Sequence, residues 1–237
     1  MSKIIAIMQP TYIPWLGYLA MIEKVDQFVF LDNVQFDHRS WQQRNRIKTD
    51  KGELWVTISA KKKSLFTQKI NQVLAVDITN DVSKHLKSLT HYYAKSPFFK
   101  GFFYCFAECV KSAQIDSKGF LSDFNIRIID FLCEYSGIKK EFALSSQINV
   151  AGQKDELLAN ISEYLGAKVY LAPPGSKGYL EKSKFFEKRD IKIIYHDYIH
   201  PSYPQLYGEF IPGMSCLDAF FNVEKENLKS LIMSGCK

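Results

Sequence analysis

The sequence predicts an α/β fold built on a parallel, Rossmann-like sheet with a helical insertion. Two short apolar runs near the N-terminus, residues 4–7 and 28–31, are typical of strands buried on both faces of a parallel sheet. Between them, Leu19, Ile22 and Val25 recur at helical spacing. These three segments predict a βαβ unit, whose crossover is expected to be right-handed.

The later elements follow from the same periodicities and from turn and cap residues. A turn at Asp50, Lys51 and Gly52, followed by a strand at residues 54–58, predicts a hairpin. Ser215 is expected to cap a helix over residues 214–221. The other predicted strands are residues 76–78, 142–144, 169–172 and 191–195, and the other predicted helices are residues 82–93, 98–113, 124–135, 157–165, 180–189 and 224–237.

Length and composition predict one domain over residues 1–237. With 46% hydrophobic residues, the chain can bury a substantial core. An α/β core is expected from residues 1–79 and 138–237, with the helical segment 80–137 between them. No apolar run approaches the roughly 20 residues that span a bilayer, and the N-terminal run is too short for a signal peptide. We therefore expect a cytoplasmic protein without a membrane span.

The charge balance favours an anionic ligand. Lys and Arg number 31 against 25 Asp and Glu, a net charge of +6 that suits a phosphate or nucleotide without requiring nucleic acid. The dense basic run at residues 61–63 is expected to be a solvated loop. Five cysteines without CxxC spacing fit reduced thiols, and no metal site is predicted.

The residues that follow the first strand form the main candidate binding region. Residues 9–18 place two prolines, three large aromatics and a glycine where an open α/β sheet binds its ligand. Polar side chains after the second strand are expected to point into the same crevice. The ligand contacts predicted from these two segments are Gln9, Tyr12, Trp15, Gly17, Tyr18 and Gln35.

Three further segments add candidate ligand contacts. Arginines close to a tryptophan, ahead of the hairpin, have the fork shape that holds carboxylates and phosphates. The loop PPGSKGYL joins a predicted strand to a predicted helix, an arrangement in which backbone N–H groups bind anions. The segment after the last strand is dense in His, Tyr and Gln. The contacts predicted from these segments are Trp41, Arg44, Arg46, Gly175, Ser176, Lys177, Tyr179, Tyr203 and Gln205.

Four side chains are candidates for catalytic acid or base chemistry: His200, Asp32, His196 and Asp218. Histidine changes charge near neutral pH, and carboxylates accept protons. His196 and His200 also have the spacing of a metal pair, but they straddle a strand end and no third ligand is evident. An acid/base or hydrogen-bonding role is therefore preferred, and for His200 structural hydrogen bonding to a neighbouring turn stays an open alternative.

Four motifs together resemble the WbqC-like protein family. They are QPTYIPWLGYLAMIEKVDQFVFLDNVQF, SWQQRNRIK, VYLAPPGSKGYL and HPSYPQLYGEFIPGMSCLDAFFN, and they are distributed over nearly the whole chain. The first and last are long and distinctive. PPGSKGYL departs from the serine- and glycine-rich loop more usual in members, because its two prolines stiffen the backbone.

The resemblance implies an enzyme of bacterial surface polysaccharide biosynthesis, such as that of the O-antigen of lipopolysaccharide. Members of the family tend to be encoded with enzymes that make unusual amino sugars. The implied reaction is transfer of an acyl or aminoacyl group to the amine of a nucleotide-linked amino sugar. Such a transferase or ligase uses ATP or an activated acyl or aminoacyl carrier as donor, and charged tRNA is one such carrier.

A second likeness keeps two alternatives open. The WLGY segment opens a helix after the first strand, as HxGH does in nucleotidyltransferases and class I aminoacyl-tRNA synthetases. Trp15 and Tyr18 stand in place of the two histidines, while Gly17 is retained. The likeness implies a HUP-type sheet even where the chemistry differs. The alternatives are a nucleotidyltransferase-like phosphate-handling enzyme and a nucleotide-sugar-binding module without catalysis.

Overall fold

A computed structural model describes residues 2–61 and 67–237. Its strands are β1 (Ile4–Met8), β2 (Gln27–Phe30), β3 (Arg44–Thr49), β4 (Gly52–Thr57), β5 (Phe142–Leu144), β6 (Val169–Ala172) and β7 (Lys192–Tyr195). Five of them form one sheet in the order β5–β2–β1–β6–β7, and every neighbouring pair in it is parallel. The predicted α/β class with a Rossmann-like parallel sheet is confirmed.

The first apolar run forms the central strand of this sheet. Ile5 and Ala6 of β1 have no exposed surface, as expected for a strand covered on both faces. The chain passes from β1 through helix α1 (Leu16–Lys24) to β2 alongside, and Ile5 lies opposite Gln27. It later returns to the other side of β1 with β6 and β7. The connection from β1 thus leads to one side of the sheet, and the later connection to β6 leads to the other, so the strand order reverses between β1 and β6. Parallel sheets bind ligands at such a position, outside the carboxyl ends of the strands.

Helices cover the sheet and fill the segment between β4 and β5. Apolar residues of β1, α1 and this helical segment belong to one continuous core. The predicted cap of the helix after residue 214 is confirmed, because the Ser215 hydroxyl accepts a hydrogen bond from the Leu217 N–H. The remaining helices are α2 (Ile78–Tyr93), α3 (Phe99–Asp116), α4 (Leu121–Tyr135), α5 (Lys154–Tyr164), α6 (Lys177–Leu180), α7 (Cys216–Asn222) and α8 (Lys225–Ser234).

The strands β3 and β4 form a separate antiparallel hairpin beside the sheet. Its turn ends at Gly52, whose φ of +99° is a backbone conformation that residues with a side chain rarely adopt. Alternation along the strands puts Ile47 and Val56 on the buried face. The opposite face carries Arg44 and Arg46, and part of it is open to solvent.

Two of the predicted elements are wrong. Residues 76–78 are not a strand, because Ala75 makes only an isolated bridge to Ala60 and helix α2 begins at Ile78. Residues 180–189 are not one helix, because α6 ends at residue 180. The Ser183 hydroxyl then accepts from the Phe185 N–H, a local bond that competes with helical pairing. Residues 62 and 63 of the basic run lie outside the described residues, and within residues 2–61 and 67–237 each helix is too short or too polar to cross a bilayer.

Candidate functional site

A cavity of about 980 Å³ opens at the carboxyl ends of the strands. We call it the strand-end cavity. Its wall combines residues that follow β1 and β2 with the first turn of α5 and one residue of α6. Its volume lies at the upper end of the range for small-molecule and cofactor sites. The polar side chains that line it are Gln9, Asn33, Gln35, Lys69, Gln153, Lys154, Asp155 and Tyr179.

Asp32 supports this wall without entering the cavity. Its carboxylate accepts hydrogen bonds from the Ser145 hydroxyl (2.9 Å), the Ser146 N–H (2.8 Å), the Ser146 hydroxyl (2.6 Å) and the Asn71 amide (3.4 Å). Asp32 is 3% exposed. These bonds join the ends of β2 and β5, so Asp32 is better placed to hold the two loops together than to accept a proton from a ligand.

The PPGSKGYL loop after β6 is held by hydrogen bonds within the loop. The Ser176 N–H and hydroxyl both donate to the Pro173 carbonyl, and the Lys177 N–H donates to the Pro174 carbonyl. A Cβ atom on Gly175 would meet nothing within 4 Å, so no close approach requires glycine there. Two of the backbone donors expected to hold an anion, the N–H groups of Ser176 and Lys177, are therefore used within the turn. Of the four residues predicted from this loop, Tyr179 lines the strand-end cavity.

A second cavity, of about 320 Å³, opens where the β1–α1 loop meets the hairpin. We call it the tryptophan cavity. Met8 lines it and Gln9 lines the strand-end cavity, so the end of β1 contributes to both walls. Its other lining residues are Thr11, Pro14, Trp15, Tyr18, Trp41, Asn45, Arg46 and Gly213. Four of the predicted contacts, Trp15, Tyr18, Trp41 and Arg46, are thus brought together by the fold.

The loop that carries this wall has a strained backbone. Ile13 has a φ of +38°, which is a genuine outlier for a β-branched residue. The buried amide of Asn45 stabilises the conformation by donating to the carbonyls of Tyr12 (3.3 Å) and Ile13 (2.8 Å). Strain of this kind is found where the surrounding structure fixes a binding loop. Asn45 of the hairpin therefore helps to fix the backbone that leads into Trp15.

Gly17 makes room for the Trp15 ring. An added Cβ would lie 2.3 Å from the indole, so the ring covers the place where a side chain would be. The Trp15 indole is therefore the reason for glycine at this position. The Gly17 carbonyl meets Nε2 of His196 at 3.0 Å, which fastens α1 to the end of β7. His196 is 1% exposed and lines neither cavity.

Arginine and tryptophan side chains alternate on the outer face of the hairpin. The guanidinium of Arg44 lies 4.3 Å from the centre of the Trp55 ring, and that of Arg46 lies 5.6 Å from Trp41 and 5.7 Å from Trp55. Arg46 also pairs with both oxygens of Glu53 at 2.9 Å. Cation–π contacts of this kind hold the rings flat against the strand.

His200 lies behind the tryptophan cavity. Its ring stacks on Trp15 with a centroid distance of 6.4 Å and an interplanar angle of 18°. Nδ1 lies 3.1 Å from the Pro201 carbonyl, and Nε2 is buried without a hydrogen-bond partner among the described residues. Burial lowers the pKa of His200, which favours the neutral ring. A neutral imidazole with one unpaired nitrogen is able to accept a proton.

Asp218 lies deeper, in a buried polar cluster. Its carboxylate accepts from the Tyr93 hydroxyl at 2.8 Å, and that hydroxyl accepts from the Lys48 N–H. Burial raises the pKa of Asp218, while hydrogen bonding from Tyr93 and Tyr203 and the charge of Lys48 act in the opposite direction. Gln205 closes its own loop by exchanging hydrogen bonds with Ile211. These residues hold α7 and the loop after β7 together and do not line either cavity.

Tyr12 is also part of the core. It is 2% exposed, its ring stacks on Phe124, and its hydroxyl lies 2.9 Å from Nδ1 of His85. Burial lowers the pKa of His85 from 6.5 to about 4, with Asp81 acting in the opposite direction. Stacking of Tyr12 on a ligand would require the loop to open.

Sequence reasoning missed two sets of residues. Lys69 and Gln153 line the strand-end cavity but lie in unrelated segments, and no local pattern marks them. Lys48 is 1% exposed, with its amine bonded to the Glu209 carbonyl. The strand alternation that places Arg44 and Arg46 on one face places Lys48 on it too, and the loop at residue 209 covers that end.

Two comparisons with known proteins match the chain. The model of the WbqC-like protein family matches residues 9–230. Uncharacterized protein Rv1507c of Mycobacterium tuberculosis is 35% identical over 225 residues, which cover 94% of this chain and 95% of that protein. No solved structure matches significantly. The fold, the strand-end crevice and the full-length match agree, and the chain belongs to the WbqC-like protein family.

Proposed function

We propose that the protein transfers an acyl or aminoacyl group to the amine of a nucleotide-linked amino sugar in bacterial surface polysaccharide biosynthesis. The observation that carries the proposal is the strand-end cavity. It lies at the divergence point of a parallel sheet and has the volume expected for a nucleotide-sized ligand. Its amides, lysines and carboxylate suit a ligand with many hydroxyls and a phosphate. Membership in the WbqC-like family is compatible with this role.

The reaction makes an amide. The sugar nitrogen forms a bond to the acyl carbonyl carbon, and the bond from that carbon to the oxygen of the donor breaks. The leaving oxygen departs with its electron pair, and the nitrogen loses a proton. The protein therefore has to keep the amine neutral, take up this proton and stabilise the developing oxyanion.

Of the four candidate bases, His200 has the most suitable surroundings. Asp32 has its oxygens occupied, Asp218 is fully buried, and His196 is held behind α1. Among the described residues, Nε2 of His200 has no hydrogen-bond partner, as is also true of Nδ1 of His196, but His200 stacks on Trp15 in the wall of the tryptophan cavity. In this proposal the Trp15 ring shifts when ligand enters, and Nε2 then takes the proton from the amine.

The direct test is the mass of a nucleotide-linked 4-amino sugar after incubation with the protein, ATP and amino acids, with and without charged tRNA. A mass gain establishes acyl transfer, and its requirements identify the donor. No gain with any donor, in a folded protein that binds the sugar nucleotide, contradicts the proposal and favours a binding module.

His200 is tested by the variant His200→Gln, with His196→Gln as the matched control. Loss of proton transfer is expected to lower kcat by roughly 100-fold or more while sugar affinity is kept. Equal loss of affinity and turnover would instead give His200 a binding role. His196→Gln is expected to lower stability, because it disturbs the contact between α1 and β7.

A further inference from the structure

Two of the three tryptophans of the chain line one cavity, and the third contacts one of them. Trp15 and Trp41 line the tryptophan cavity, and the Trp55 ring lies 5.5 Å from Trp41 at an interplanar angle of 32°. Trp41 is 48% exposed and Trp55 is 43% exposed. Large aromatic side chains are normally buried, so two exposed indoles in contact at the mouth of a cavity form a stacking surface that the core does not need.

One cation on this surface has no counterion. Arg46 shares its charge with Glu53 and also donates to the Gly213 carbonyl. Arg44 lies 4.3 Å over Trp55, and among the described residues no carboxylate pairs with it and its buried Nε has no hydrogen-bond partner. The face therefore offers two flat rings and one unneutralised guanidinium, which is a complementary surface for a planar ring with one nearby anion.

We propose that this face is a second ligand site, which binds a purine nucleoside monophosphate unit. The base stacks on Trp41 and Trp55, and the phosphate pairs with Arg44. Trp41 is shared between this face and the adjoining cavity of about 320 Å³, which has room for one nucleoside, and a single free guanidinium matches a single phosphate, so the ligand is a mononucleotide rather than a nucleic acid strand.

This inference deepens the proposed function and rests on it for the role of the nucleotide. The strand-end cavity holds the sugar acceptor, and the tryptophan cavity holds the nucleotide part of the acyl donor. Met8 lines the tryptophan cavity and Gln9 lines the strand-end cavity, so the amine and the activated carbonyl would meet at the end of β1.

Intrinsic tryptophan fluorescence reports this site selectively, because every tryptophan of the chain borders it. Titration with AMP is expected to quench the fluorescence and to saturate. Trp55→Leu is expected to weaken AMP binding roughly 5- to 100-fold through lost stacking, and Arg44→Gln roughly tenfold or more through the lost charge, both measured by calorimetry. Arg127→Gln, at an exposed arginine that pairs with Asp116 on the helical segment, is the control and should bind AMP as the wild type does.

A parallel titration with a nucleotide-linked amino sugar separates this inference from the proposed function. Weaker AMP binding with unchanged sugar binding in Arg44→Gln supports a separate donor site. Equal loss of both ligands overturns it, because the hairpin would then hold the acceptor. Unchanged AMP affinity in Arg44→Gln, or tight binding of a short single-stranded RNA without binding of AMP, also overturns it, even if acyl transfer is observed. Loss confined to AMP in a protein that shows no acyl transfer leaves this site established and contradicts the proposed function alone.

Discussion

The two cavities beside the end of β1 are built in opposite ways. The strand-end cavity takes its walls from segments that follow parallel strands, and hydrogen bonds to a single carboxylate hold two of these segments together. The tryptophan cavity takes its walls from a strained loop and from a hairpin outside the main sheet, held by ring contacts and by Asn45. The polar groups of the first are mostly amides and charged side chains, whereas the second has three large aromatic rings, those of Trp15, Tyr18 and Trp41, in its wall.

This difference suggests that the two cavities bind different chemistry. Amide and charged groups bind hydroxyls and phosphates through hydrogen bonds at fixed directions, whereas flat indoles bind any ring of sufficient area. The support of each wall also differs, so the two cavities are expected to respond separately to mutation. Three variants or conditions test that separation, starting with the largest expected effect.

Asp32→Ala is expected to destabilise the strand-end wall most. The change removes the charged acceptor of the buried Ser145 hydroxyl and of the Ser146 N–H and hydroxyl, and bonds to a charged group are worth about 1.5–3 kcal/mol each. We expect a loss of about 3 kcal/mol or more in the free energy of unfolding, measured in urea, and weaker sugar binding. Asp37→Ala, at an exposed carboxylate, is the control. Equal effects of both substitutions would show that Asp32 does not support the wall.

Acid is expected to weaken the support beneath the tryptophan cavity. His85, which contacts Tyr12 of the strained loop, has its pKa lowered by burial from 6.5 to about 4, while Lys84 adds to the lowering and Asp81 and a hydrogen bond to the Thr57 backbone oppose it. Between these values the unfolded chain binds more protons than the folded chain. The contribution of His85 to the free energy of unfolding is therefore complete above pH 6.5. It falls, by up to about 3 kcal/mol, as the pH drops towards 4.

The variant His85→Gln should make this pH dependence shallower, measured as Tm against pH. The control is His91→Gln, because His91 is exposed on the same helix and should leave the slope as in the wild type. Burial lowers the pKa of His196 and His200 as well, so some slope of the same sign should persist in His85→Gln. A slope unchanged in His85→Gln would contradict the assignment.

Gly17→Ala compared with Gly101→Ala is expected to show the smallest effect. Both glycines lie in helices, where alanine is normally favoured by up to about 1 kcal/mol. A Cβ on Gly101 meets nothing within 4 Å, whereas one on Gly17 meets the Trp15 indole. Gly101→Ala should therefore stabilise, and Gly17→Ala should cost about 1–3 kcal/mol and alter tryptophan fluorescence. The same sign for both changes would mean that the Trp15 ring moves aside freely.

The sequence by itself determined the sheet, the position of the crevice and the family. Apolar runs of strand length, a helix between them and the cap at Ser215 are local signals, and each depends on residues within a few positions of one another. The rule that parallel sheets bind ligands at their carboxyl ends then located Gln9 and Gln35 in a cavity wall. Trp15, Tyr18, Trp41 and Arg46 were also predicted as contacts, on residue type and position.

Only the tertiary structure decided which candidates share a cavity and which are buried. The sequence predicted Tyr12 as a ligand contact and Asp32 and Asp218 as catalytic groups, yet their polar atoms bond to groups 73, 113 and 125 positions away. Residue type shows that a side chain can form a hydrogen bond or stack, but partners so distant in sequence are brought near by packing alone. The same packing left Arg44 beside two exposed indoles with no counterion in the described part of the chain, a feature that no local pattern predicts.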